Sequence, residues 1–266
     1  NDPGEMRYKL LQLNCGEYDA LTEVQQEEVA KLLIIDRPIG GFSSVADIEA
    51  YLCGKDVGAV DKYRRYLAEV NAAANASQMK EALGNLHPAY FPELDTSDLK
   101  VNAALFARGA EGYQSVAEIV EVQQSAGITW PSAASALTYG QKLKESVLTG
   151  GKVTVGEAEL PGTFVFEEPE SVLGAGDLAH TVSIKFVPTE TEYAEITGGT
   201  VKVTVNKATP GIVIWPTSSK LTYGQKLKES TLIGGYVHYQ GKTITGTFAF
   251  SDGEVIPPAG NYEAAI

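Results

Sequence analysis

The ten residues LTYGQKLKES stand twice in this chain, at 137–146 and 221–230, identical at every position. The match extends around them at a fixed offset of 84 residues. Gly150-Gly151 returns as Gly234-Gly235, and Gly162-Thr163-Phe164 returns as Gly246-Thr247-Phe248; Trp130-Pro131 returns as Trp215-Pro216, slipped by one. A supersecondary unit copied in tandem confines the carboxy-terminal half to serial modules of one design.

The unit reads as β structure. Val153/Val155, Phe164/Phe166, Val182/Ile184/Phe186 and Val201/Val203/Val205 alternate with polar residues at period two, and Gly and Pro clusters separate them. The expectation is an all-β sandwich at 128–209, a hinge at 206–211 where Pro and Gly end the last strand, and a second copy at 210–266. Aligned without gaps, Ile266 falls on Val182, so the second copy lacks counterparts of 183–207. A cleavage or ordering boundary is the plain expectation there. Strands donated by another chain are the alternative.

Residues 1–127 follow a helical period. Val45/Ile48/Leu52 and Val116/Ile119 lie at helical spacings, and Val60/Tyr63/Leu67/Val70/Ala74 forms a heptad-like stripe. Ser44 and Ser115 each precede an acid by three residues, a helix-start signature. GFSSVADI at 41–48 matches GYQSVAEI at 112–119. The expectation is a helical domain at 1–127, with two three-helix units at about 5–54 and 77–126 joined by a long helix near 59–75. The expected fold class is therefore multidomain: an all-α helical bundle followed by all-β sandwich repeats.

Charge excludes some partners. The chain carries 21 basic and 34 acidic residues, a net charge of −13, with −9 of it in 1–127 and −4 in 128–266. Such a surface repels phosphate backbones and anionic lipid, so no nucleic-acid partner is expected. No apolar run reaches bilayer-spanning length, so no membrane insertion is expected either. An export signal is expected to lie upstream of Asn1 or to have been removed.

The residues WP at 130–131 and 215–216, LTYGQKL…S…L.GG at 137–151 and 221–235, and GTF.F at 162–166 and 246–250 carry a resemblance, together with IKFVPTETEY and VKVTVNKATP. The β unit resembles the immunoglobulin-like repeats of large bacterial cell-surface proteins of Gram-positive type. The segment DALTEVQQEEVAKLLIIDRPIGGF at 19–42 resembles a three-helix repeat of such S-layer-associated proteins. The second helical copy departs from that pattern, with Arg108-Gly109-Ala110 where Asp36-Arg37-Pro38 stand in the first. The resemblance implies immunoglobulin-like sandwiches, a secreted or cell-surface (cell-wall or S-layer) setting, and a structural, spacer or adhesive role. Cell-wall polysaccharide or other surface proteins are the implied partners. It carries over no catalytic, cofactor or metal residues.

Individual residues add little chemistry. Cys15 follows the first expected helix and Cys53 closes the third; in an up-down-up bundle both lie at one pole, which predicts a disulfide. Free thiols are the alternative. His87, His180 and His238 show no zinc-ligand spacing. Glu167, Glu168 and Glu170 form the densest acidic run, read as a solvated loop. No G-x-S-x-G, H-E-x-x-H or phosphate-loop motif occurs, so no enzyme and no cofactor are expected. Trp130, Trp215, Tyr139 and Tyr223 are equivalent in pairs and are read as module-junction packing. Were they exposed as flat faces, the alternative is a carbohydrate-binding accessory region of a polysaccharide-active enzyme. Asn206 with Lys142 or Lys144 are the positions to check for an intramolecular lysine–asparagine cross-link, which an intact mass with no missing ammonia would eliminate.

Overall fold

A computed structural model describes residues 2–86, 89–209, 211–239 and 242–266. Helices come first: α1 (Pro3–Leu10), α2 (Gly16–Asp19), α3 (Glu23–Asp36), α4 (Val45–Cys53), α5 (Ala59–Ala72), α6 (Ala76–Leu86), α7 (Asp98–Phe106) and α8 (Val116–Ser125). Their starts are chemically marked. Thr22 and Gln25 close a reciprocal capping box on α3. Asp47 N donates to Ser44 Oγ at 3.1 Å and Glu118 N donates to Ser115 Oγ at 3.3 Å, which satisfies one otherwise unpaired donor at each start. Tyr18, Leu33, Leu52, Tyr63, Met79 and Ile119 are fully buried where the helices meet.

Strands follow: β1 (Ala126–Thr129), β2 (Ala133–Ala134), β3 (Leu137–Thr138), β4 (Leu148–Thr149), β5 (Lys152–Val155), β6 (Ala158–Glu159), β7 (Gly162–Phe166), β8 (His180–Pro188), β9 (Ile196–Val203) and β10 (Val205–Asn206). The second repeat holds β11 (Gly211–Ile214), β12 (Thr217–Ser218), β13 (Leu232–Ile233), β14 (Tyr236–Tyr239) and β15 (Lys242–Ile244). Among the described residues the sheets are small: β1-β5-β6, β7-β8-β9 and β11-β14-β15, with β2-β4, β3-β10 and β12-β13 as two-stranded pairs.

This corrects the expected fold class. The molecule is a mixed α/β protein, 33% helix and 21% strand, and not a helical bundle followed by immunoglobulin-like sandwich repeats. Two physical reasons account for the difference. The period-two stretches are cut short by glycines that take positive φ, among them Gly140 at 96°, Gly150 at 76° and Gly151 at 89°, so several ladders stop after two residues. The β1-β5 sheet also covers its apolar face with helices instead of a second sheet. Ala126 and Val155 pack with Ala103 of α7 and with Leu99, Phe106 and Val122.

The helical and strand regions thus share their interior. α8 passes directly into β1, from Ser125 to Ala126. The connection from β8 to β9 reaches back into the helices: Ala194 N donates to Asn102 Oδ1 at 2.8 Å, and Asn102 Nδ2 donates to Ala194 O at 2.7 Å. Ala76 N donates to Glu192 O at 2.6 Å. Asn102 is fully buried, and this pairing with a backbone amide offsets the cost of placing it there.

Candidate functional site

The repeated ten residues build the same frame twice. Gly140 and Gly224 each turn the chain at φ 96°, a left-handed conformation that side chains disfavour. Gln141 Oε1 accepts from Thr138 N at 2.7 Å, and Gln225 Oε1 accepts from Thr222 N at 2.6 Å. A one-turn 3-10 helix follows, at Leu143–Glu145 and Leu227–Glu229, with its leucine buried. Glu145 Oε1 accepts from Lys142 N at 2.8 Å, and Glu229 Oε1 accepts from Lys226 N at 3.0 Å. Ser146 Oγ donates to Ser135 O at 2.5 Å, and Ser230 Oγ donates to Ser219 O at 2.7 Å.

Each frame also grips one carboxylate with two lysines. Lys142 and Lys144 hold Glu170 at 2.5 and 2.6 Å. Lys226 and Lys228 hold Glu254 at 2.6 and 2.5 Å. The hydrogen bond from Lys142, then that from Lys144, brings the Glu170 carboxyl from its ordinary 4.5 down to about 2. Glu254 is lowered by Lys226 and Lys228 in the same way. The acidic run therefore contains a bound member, Glu170. Its one signal in the sequence is that Glu254 stands 84 residues later, at the repeat offset.

The glycine pair that follows has a steric purpose. A Cβ on Gly151 would lie 2.8 Å from Pro131 Cδ and 2.9 Å from the Phe164 ring; on Gly235 it would lie 2.9 Å from Pro216 Cδ and 2.8 Å from the Phe248 ring. The same Pro-Gly-Phe contact is thus formed in both copies.

The residues singled out from the sequence are distributed as follows. Cys15 and Cys53 are joined in a disulfide with their Cα atoms 6.2 Å apart, tying the start of α2 to the end of α4. Trp130 lies within the first repeat, edge-on to Phe164 with ring centroids 5.6 Å apart, and flat against Gly199. Trp215 packs on Phe248 at 6.2 Å but stays 52% exposed. Tyr139 meets the second repeat: Tyr239 Oη donates to Tyr139 O at 2.7 Å, with their rings 6.1 Å apart. Tyr223 is 80% exposed. The four rings therefore do not gather into one face. Lys142 and Lys144 grip Glu170, while Asn206 pairs with Thr138 through the backbone.

Metal chemistry has little to build on. Among the described residues no group of three or more His, Cys, Asp or Glu side chains is placed to hold a metal ion. His180 Nε2 contacts Gly174 O at 2.7 Å, and His238 Nε2 contacts Thr243 Oγ1 at 3.2 Å. His87 lies outside the described residues. Among the described residues no helix is long and apolar enough to cross a membrane.

One buried acid went unnoticed in the sequence. Glu28 on α3 accepts from Tyr63 Oη at 2.7 Å, Val116 N at 3.0 Å and Ala117 N at 2.7 Å. It thereby locks α3, α5 and the start of α8 together, with its charge at the positive end of a helix. Burial raises its proton affinity, and those three hydrogen bonds oppose the rise.

A second unnoticed feature is an open groove of about 720 Å³ in the second repeat, lined by Leu221, Leu227, Phe250, Tyr262 and Ile266 among others. No family model, curated protein or solved structure matches this chain.

Proposed function

We propose that this chain is a non-catalytic structural segment of an extracellular cell-surface protein, one that spaces or presents other parts of that protein. Cell-wall polysaccharide or neighbouring surface proteins are its contacts. The observation that supports this best is how the duplicated decapeptide is used. Its Gln, Lys, Glu and Ser side chains are consumed in holding the turn, the 3-10 helix and one carboxylate, which leaves the repeated residues a scaffold's work. The Cys15–Cys53 bond suits an oxidising compartment.

Protease shaving of intact producing cells tests the reading. Peptides from 1–266 should be released from the surface, and non-reducing mass spectrometry should recover residues 15 and 53 joined. Confinement of those peptides to the lysate, or a turnover assay giving activity abolished by one carboxylate substitution, overturns it.

The exposure of Trp215 and Tyr223 favours a second reading, a carbohydrate-binding accessory region. Retarded migration in polysaccharide gels, lost in Tyr223→Ala, would select it.

A further inference from the structure

Two helices of this protein begin alike and are held in place differently. GFSSVADI leads into α4, and GYQSVAEI leads into α8 at an offset of 71 residues. The start of α8 is gripped by the buried Glu28 carboxylate, which accepts from Val116 N and Ala117 N. Its end is tied as well. Gln123 Nε2 donates to Asp95 O at 2.8 Å and Gln123 Oε1 accepts from Asp95 N at 3.0 Å, while Lys100 Nζ donates to Gln123 O at 2.5 Å and to Ala126 O at 2.9 Å. Val116, Ile119 and Gln123 are buried between these ties.

Among the described residues α4 has no such anchors. Val45 is 59% exposed where Val116 is 1% exposed, and Ile48 is half-buried where Ile119 is buried. Leu52 is the one buried residue of the helix. Asp47 accepts from Ser43 N and Ser43 Oγ, just ahead of the helix. Phe42 and Tyr51 meet each other edge-on, with ring centroids 5.3 Å apart. Those contacts join the segment to itself. What ties it to the body is the bridge from Cys53, its last residue, to Cys15 at the start of α2. A covalent bond stands where packing and hydrogen bonds hold the sister helix.

The flanks suit a moving part. Gly40 and Gly41 take φ 98° and 87° with open space beside both, a backbone free to swing. Beyond the helix the chain is pinned, because Gly58, Ala59 and Val60 are buried. Residues 39–57 therefore form a flap that rests on α2 and α5.

We propose that the Cys15–Cys53 bridge is a redox latch on this flap. Oxidised, it holds α4 down; reduced, α4 lifts while α3, α5 and α8 keep their packing. The reductant is a dithiol. Its thiolate attacks Cys53 Sγ, since Cys53 is half-buried and Cys15 is buried, and the Cys15 sulfur leaves and takes up a proton. The second thiol of the reductant then displaces Cys53, which also ends as a thiol, and the reductant departs as its disulfide. Two electrons and two protons pass to the protein. Opening uncovers Leu52 and the surface of α2 and α5 beneath α4.

The test is amide exchange followed by mass spectrometry on the 266-residue protein, oxidised and after dithiothreitol without denaturant. Both thiols should become alkylatable, and exchange across 45–53 should accelerate by about a hundredfold or more. Exchange in α3, α5 and α8 should stay as it was, and reoxidation should restore slow exchange at 45–53. The double variant Cys15→Ser, Cys53→Ser should exchange fast at 45–53 with or without dithiothreitol.

Unchanged exchange at 45–53 after complete reduction overturns the proposal. So does loss of protection in α3, α5 and α8 together with α4, in the reduced protein or in the double variant, because the bridge would then hold the whole helical body. Thiols that become alkylatable only in denaturant overturn it too, since the latch could not be worked in the folded protein.

Discussion

Gly198 and Gly199 sit side by side in β9 under different constraints. Gly198 has φ 95° and open space around it, whereas Gly199 meets the Trp130 ring. Gly198→Ala should therefore cost about 1 kcal/mol of backbone strain and leave Trp130 emission unchanged. Gly199→Ala should cost about 1–3 kcal/mol by overpacking and shift that emission, which denaturant melts followed by fluorescence would check. A glycine pair in a strand pattern reads from sequence as a break or a close approach; which glycine carries which duty depends on a tryptophan some seventy residues earlier. Glu170 is a second such case. Its carboxyl is lowered to about 2 by Lys142 and Lys144, so its contribution to stability is present above its ordinary 4.5 and is lost as pH falls toward 2. Melting temperature followed from pH 6 to pH 2 should fall more steeply in the native protein than in Glu170→Gln.

At the scale of elements, α8 shows what local chemistry specifies and what it leaves open. Its Ser115 cap is readable because donor and acceptor lie three residues apart. Ser115→Ala should destabilise by about 1 kcal/mol. The Glu28 carboxylate reaches the same helix start from 88 residues away, and nothing in the local pattern announces it. Glu28→Ala leaves Val116 N and Ala117 N without their acceptor and Tyr63 Oη with only Gln114 O at 3.4 Å, and should cost about 2–3 kcal/mol in urea denaturation, more than losing the cap. The β elements divide in the same way. The alternation of β7, β8 and β9 is written in the residues. The early stop of β3 and β4 follows from backbone torsions at the glycines that come after them, and the covering of the β1-β5 sheet by α7 depends on contacts between distant segments.

Across the whole molecule, burial is unequal. Among the described residues beyond 206, only Leu227 and Ser230 are buried, while the helices and the first repeat share clusters through Leu99, Phe106, Tyr193 and Ile196. Hydrogen exchange should therefore show 1–209 opening as one cooperative body, with 211–266 losing protection at much lower free energy. Separate protection of 1–127 and 128–209 would contradict the shared interior. The sequence showed the duplication in the carboxy-terminal half plainly; it did not show that the first copy leans on the helices, because the surfaces that meet, Asn102 with Ala194 and Ala76 with Glu192, lie some ninety residues or more apart. The sulfur bridge between α2 and α4 has a mechanical consequence for a chain stretched by its ends. With its anchors 38 positions apart along the chain, the bridge short-circuits that stretch, so tension passes across the sulfurs and α3 stays slack. Optical tweezers should record a fully extended length about 120–130 Å greater after reduction than before, a hidden reserve of rope that a reductant pays out.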